Sequence, residues 1–164
     1  MKKLYVGVVF FLGWLVLQPG LISGQAELPE LKQAAVKCVD SNSDWLIEVS
    51  DAIWECAEIA LLEYKSAEIL AKAAEKAGFT VKRGVADLPT AFVASYGSGR
   101  PIIGFLAEYD ALPGLSQDIT PYPQVLVEGG AGHGCGHNLF GAGSFGAALA
   151  LKEVLKTKKI QGTV

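Results

Sequence analysis

Six consecutive residues, His133-Gly134-Cys135-Gly136-His137-Asn138, hold both histidines of the 164-residue chain and one of its three cysteines. One glycine separates Cys135 from His137, so both side chains can converge on a single ion. Thiolate and imidazole together suit Zn²⁺ and other borderline-soft transition ions. The run stands where a glycine-rich turn enters a helix, and a helix N-terminus favours the thiolate form of a nearby cysteine. Asn138 is placed to cap that helix. Two acids, Glu108 and Asp110, follow an apolar run and end in the turn Ala111-Leu112-Pro113-Gly114. They come near the Cys135 and His137 pair only if both loops open at one sheet edge, where α/β sites gather.

Ligand arithmetic leaves alternatives open. A catalytic zinc takes three protein ligands plus water, and the compact run supplies Cys135 and His137, with His133 an open third. His133 and Asp110 also suit plain turn roles. A Cys135 nucleophile with His137 as its base is a further arrangement, although side chains flanking one glycine more naturally share an ion. No phosphate-binding loop and no Gly-x-Ser-x-Gly elbow occurs.

The elements that must position these residues follow from periodicity. From Asp44 the acids Asp44, Glu48, Asp51, Glu55 and Glu58 recur at helical spacing, opposite an apolar side of Leu46, Val49, Ile53, Cys56 and Ala60. The acidic stripe reads as a solvated face, and Cys56 as a buried thiol rather than half of a Cys38–Cys56 disulfide. A second helix is expected over 64–77, with Glu68 and Lys72 paired and Gly78 as its stop. Residues 79–83 alternate as a short strand. Residues 90–96 and 102–107 are expected to pair as a hairpin across Gly97-Ser98-Gly99-Arg100-Pro101, the second arm being apolar on both faces like an interior strand. Residues 114–130 form a long loop, of the kind that serves a site. A last helix is expected over 139–156, where Gly141, Gly143 and Gly146 allow close approach to a sheet. Gly162-Thr163-Val164 opens another strand.

Composition bounds the partners. The net charge of −3 excludes a basic nucleic-acid scaffold, and 51% apolar with 19% charged residues excludes a disordered chain. Lys2 and Lys3, the apolar run Leu4 to Leu17 and the small-residue exit Gly24-Gln25-Ala26 form the three parts of an export signal, with cleavage expected after Ala26. As a helix that run spans roughly 21 Å, short of a bilayer core, so membrane contact is expected through the signal alone. Residues 27–43 read as a polar leader and 44–164 as the domain proper.

The segments Tyr109-Asp110-Ala111-Leu112-Pro113-Gly114-Leu115-Ser116-Gln117 and Gly132-His133-Gly134-Cys135-Gly136-His137-Asn138-Leu139 together resemble the metal-dependent amidohydrolases of the aminoacylase and carboxypeptidase superfamily. The best likeness is to the p-aminobenzoyl-glutamate hydrolase B-subunit type, which shares Asn138 where many relatives carry aspartate. The resemblance covers residues 44–164. It implies an α/β fold, the N-terminal part of a zinc-peptidase-like catalytic domain with a mixed sheet flanked by helices. It also implies Cys135 and His137 as metal ligands and Asp110 as the catalytic support. The cofactor implied is a divalent transition metal, Zn or Mn, with two ions in the full-length enzyme. The substrate implied is a small N-acyl or N-aroyl amino acid, and a homo-oligomer or a second subunit is compatible with it. In such enzymes a glutamate base follows the strand that opens like Gly162-Thr163-Val164. The chain is therefore expected to be an N-terminal fragment, inactive alone; the competing expectation is an exported, non-catalytic metal- or ligand-binding fragment.

Overall fold

The computed structural model describes residues 29–164, so the export signal read over residues 1–26 lies outside the described residues. The described chain forms four α-helices, α1 (Glu30–Ser41), α2 (Ser43–Cys56), α3 (Tyr64–Lys76) and α4 (His137–Thr157), and one short 3-10 turn, Val85–Asp87. Four short strands accompany them: β1 (Thr80–Arg83), β2 (Phe92–Ser95), β3 (Gly97–Ser98) and β4 (Gly162–Thr163). This is the expected α/β arrangement. No helix among the described residues is long and apolar enough to cross a membrane.

The core lies where α2, α3 and α4 meet. Val49 and Ile53 of α2, Leu70, Ala73 and Ala74 of α3, and Ala142 and Phe145 of α4 are buried there with Phe79 and Val164. Phe145 stands edge-on to Trp45 with ring centroids 5.5 Å apart, and its ring also lies 6.4 Å from that of Phe79. Alanine at three of the helix positions lets the helices draw together, while the aromatic rings fill the space that remains.

Within the stretch 27–43 read as a polar leader, the described residues 29–43 are mostly helical. Residues 30–41 are α1, which packs along α4. Its half-buried positions Ala34, Ala35, Cys38 and the following Asn42 recur at helical spacing. That stripe is small and weakly apolar, which is why the polar residues around it hide it in the sequence. Cys38 and Cys56 are free, half-buried thiols, and burial pushes both up from the ordinary thiol value.

Two further expectations change at the end of α2. The helix stops at Cys56 because Ala57 turns left-handed at φ 44°, so Ala60 is exposed rather than part of an apolar stripe. Glu58 leaves the acidic face for the same reason. Its carboxylate instead accepts the backbone N–H groups of Lys65 (3.0 Å) and Ser66 (2.9 Å) and the Ser66 hydroxyl (2.9 Å), satisfying the open start of α3. The expected Glu68–Lys72 pair is present at 3.4 Å.

The predicted hairpin does not form. β2 pairs antiparallel with β1, Val81 facing Ala94 and Arg83 facing Phe92. β4 enters between the two expected hairpin arms, antiparallel to β3 and bridged in parallel to Ile102. Tyr96 and Val164 exchange both backbone hydrogen bonds, and Ile103 N–H donates to the Thr163 carbonyl at 2.9 Å. Gly97 makes this insertion feasible: it has φ 86°, and a Cβ there would stand 2.3 Å from the Gly162 carbonyl oxygen. Residues 104–107 are not an interior strand; they have no ladder partner among the described residues, and Leu106 is 85% exposed. An apolar run becomes a strand only where another backbone meets it.

Candidate metal centre

His137 is the first residue of α4, and Gly136 before it turns left-handed at φ 77°. That turn ends the glycine-rich loop and sets the imidazole at the helix entrance. Opposite runs the segment 108–112, fixed from three sides. Ala111 N–H donates to the Glu58 carbonyl at 2.7 Å, and Leu112 and Gly132 exchange both backbone hydrogen bonds at 3.0 Å. The Tyr109 hydroxyl donates to the Thr90 carbonyl while its ring stacks on Phe92 at 6.2 Å. Burial, with the Glu63 charge nearby, pushes the Tyr109 phenol up to about 12, so it stays a neutral donor. From the helix side, Gly141 lies against Glu108: a Cβ there would be 2.9 Å from the Glu108 carbonyl oxygen. The close approach allowed by this glycine is to a loop rather than to a sheet.

The two loops meet on one imidazole. Asp110 Oδ1 is 2.8 Å from His137 Nδ1, and Glu108 Oε2 is 3.1 Å from Nε2. His137 and Asp110 are largely buried, whereas Glu108 is 56% exposed at the mouth. Donor atoms of all three residues lie within 4.8 Å of one another. A neutral imidazole has a single N–H, yet both nitrogens face carboxylate oxygens. One contact therefore sets a lone pair against an anion, unless the ring is protonated or a cation joins them. Two carboxylates converging on an imidazole are a donor set that accommodates a divalent transition ion.

The remaining candidates separate. Cys135 is exposed and lies outside this three-residue group, and no hydrogen bond joins it to His137 among the described residues. His133 is also outside the group. Its Nε2 lies 3.1 Å from the Ile53 carbonyl, so Nε2 carries the proton, and burial lowers the ring's affinity for a second one. Its Nδ1 is buried without a partner. Asn138 is not the helix cap; it is buried inside the first turn and donates to the Ser50 hydroxyl at 3.1 Å, tying α4 to α2. Glu58 and Tyr109, which hold the Asp110 segment, carry no motif of their own. The clue to Glu58 is an acid standing shortly before the start of a helix.

No protein-family profile matches the chain. It is 46% identical over 127 residues to the B-subunit of the p-aminobenzoyl-glutamate hydrolase of Escherichia coli K12, covering 77% of this chain and 26% of that protein. It is 32% identical over 154 residues to the human Xaa-Arg dipeptidase, covering 85% of this chain and 31% of the dipeptidase. In structure it is similar to a putative aminohydrolase from methicillin-resistant Staphylococcus aureus, with a TM-score of 0.64 and 22% identity over 80% of this chain and 33% of that one. The chain thus spans about a quarter to a third of the length of these relatives.

Proposed function

From the membership of this chain in the amidohydrolase and peptidase superfamily, we propose that it carries part of a metal centre that hydrolyses the amide bond of an N-acyl or N-aroyl amino acid. The observation that carries this reading is the imidazole of His137 held between Asp110 and Glu108. His137 through Nε2, Glu108 at the mouth and the exposed Cys135 would hold a divalent transition ion, Zn²⁺ or Mn²⁺. When bound, such an ion polarises an amide carbonyl and brings water to a nucleophilic state near neutral pH. Asp110 accepts the Nδ1 proton of His137, fixing the tautomer that leaves Nε2 free to ligate, as a carboxylate commonly does behind a metal-binding histidine. Tyr109, Glu58 and Gly132 keep that carboxylate in place through the backbone around it.

Relatives named for p-aminobenzoyl-glutamate and for Xaa-Arg dipeptides support a small acyl amino acid as the substrate. The same reading includes two ions in the whole enzyme and export through the signal at residues 1–26. It also includes association with a second copy or with a different polypeptide, the latter supported by a relative that is named as one subunit of its enzyme.

Titration of the full chain with Zn²⁺ and Co²⁺ tests the centre. Uptake should be saturable and lost in His137→Ala, and a thiolate-to-cobalt absorption band should vanish in Cys135→Ser. Bound Zn²⁺ should also shield Cys135 from alkylation. Unchanged uptake in both variants would overturn the assignment, as would the absence of uptake by the wild-type chain. For the activity itself, release of glutamate from p-aminobenzoyl-glutamate by the whole protein should disappear with His137→Ala.

A further inference from the structure

We propose that a cavity between α3 and the β1–β2 pair binds a small uncharged aromatic ring and, once filled, steadies the segment that carries Asp110. The cavity has a volume of about 170 Å³, and its wall includes Tyr64, Glu68, Arg83, Pro89, Thr90 and Phe92. It shares no residue with the group formed by Glu108, Asp110 and His137. A protein cavity of about 150 Å³ takes up benzene, so a single ring fits. The ring site needs nothing from the hydrolytic reading above; its coupling to the metal centre rests on that reading.

The wall selects a flat, neutral ligand. Tyr64 and Phe92 bring two aromatic rings, which favour another ring over a saturated one. Arg83 donates Nε–H to Glu68 at 2.9 Å and both terminal N–H groups to Glu75 at 2.6 and 3.2 Å. Those bonds lie in the guanidinium plane, so Arg83 has chiefly its flat face to offer, a surface on which aromatic rings stack. Lys72, 3.4 Å from Glu68, completes a cluster of two cations and two acids. A charged ligand of either sign would have to compete with that balanced cluster.

Two residues of the same wall hold Tyr109. Its hydroxyl donates to the Thr90 carbonyl, and its ring stacks on Phe92 at 6.2 Å with the planes 13° from parallel. Asp110 is the next residue. The segment has an anchored state, with both contacts made, and a released state in which Thr90 and Phe92 are free to shift. The cavity keeps its shape only in the anchored state, so a bound ring favours that state. A metal ion on His137, with Asp110 behind the imidazole, favours it too. Two ligands that favour one state raise each other's affinity by the same factor.

Equilibrium dialysis of the full chain against phenol, cyclohexanol and benzoate tests the site. Phenol should bind saturably, and the other two at least about fivefold more weakly. Tyr64→Ala, at a 56% exposed position, removes one ring of the wall and should weaken phenol about fivefold. Pro89→Trp, at the exposed rim, should fill the cavity and abolish saturable binding. Equal binding of phenol and cyclohexanol would overturn the proposal, as would wild-type affinity in either variant. Saturating phenol should tighten Zn²⁺ uptake about fivefold, and saturating Zn²⁺ should tighten phenol by the same factor. In Tyr109→Phe, which lacks the hydroxyl for Thr90, phenol should still bind while that factor falls to about one. Zn²⁺ affinity unmoved by phenol in the wild type would overturn the coupling. Zn²⁺ uptake without phenol binding overturns this proposal alone. Phenol binding without Zn²⁺ uptake removes the metal centre and the coupling to it, and leaves the ring site standing.

Discussion

The layer formed by α2, α3 and α4 and the stretch from residue 99 to 130 are built on opposite terms. Each helix satisfies its own backbone and needs neighbours only to cover an apolar stripe. Ile53, Leu70 and Phe145 find that cover and are almost wholly buried. The later stretch has extended backbone, which must find its hydrogen-bond partners elsewhere. Where it finds them, at Ile102–Thr163, Ala111–Glu58, Leu112–Gly132, Ser116–Gly130 and Asp118–Gln124, the chain is fixed. Between those points Leu106, Ile119 and Val127 stay exposed. The acids of the candidate centre stand on this second kind of backbone, and the imidazole stands on the first.

Substitutions can break or sharpen that contrast. The largest loss is expected from Phe145→Ala, which removes the ring that contacts both Trp45 and Phe79. A cost of about 3–5 kcal/mol should appear in denaturant unfolding. Glu58→Ala leaves the first turn of α3 without its acceptor and should cost about 1–2 kcal/mol. A smaller stability effect is expected for Gly141→Ala, because the gain of about 1 kcal/mol in helix propensity offsets much of the contact with the Glu108 carbonyl. The displaced Glu108 should nevertheless weaken Zn²⁺ uptake, so thermal melting and metal titration should disagree for this variant. Leu106→Ser should change unfolding by less than about 0.5 kcal/mol. A loss of several kcal/mol there would mean that residues 104–107 are packed as an interior strand after all.

The smallest effect concerns pH. Hydrogen bonds from Arg83 hold the Glu68 and Glu75 carboxyls below their ordinary value, and both are solvent-exposed. Because the folded values are depressed, this contribution is fully present above the ordinary carboxyl range. It fades as pH falls below that range, where the acids protonate. Wild type and Arg83→Gln should therefore converge in thermal stability on acidification, and divergence would contradict the assignment.

The parts of the fold that sequence made legible are those whose interactions are local. Periodicity located α2, α3 and most of α4, and the spacing of Cys135 and His137 marked the loop that matters. Asp110 meets His137 across 27 residues of chain, and no spacing rule reports such a meeting. It depends on Gly141 admitting the Glu108 backbone and on Glu58 accepting from Ala111. The hairpin failed for a related reason. The apolar character of residues 102–107 says that they can be a strand but not which backbone will claim them, and β4 claimed only their start. Helix α1 escaped notice because its contact stripe of Ala34, Ala35 and Cys38 is small rather than oily.

Glu58 bonds in two directions, through its carboxylate to the start of α3 and through its carbonyl to Ala111 beside Asp110. Opening either end therefore loosens the other, and the amides of Lys65, Ser66 and Ala111 should exchange with solvent deuterium as a cooperative unit. An ion that steadies Asp110 and His137 would slow that exchange on the far side of Glu58 as well, so occupancy at the centre would be reported by a helix that contributes no ligand to it.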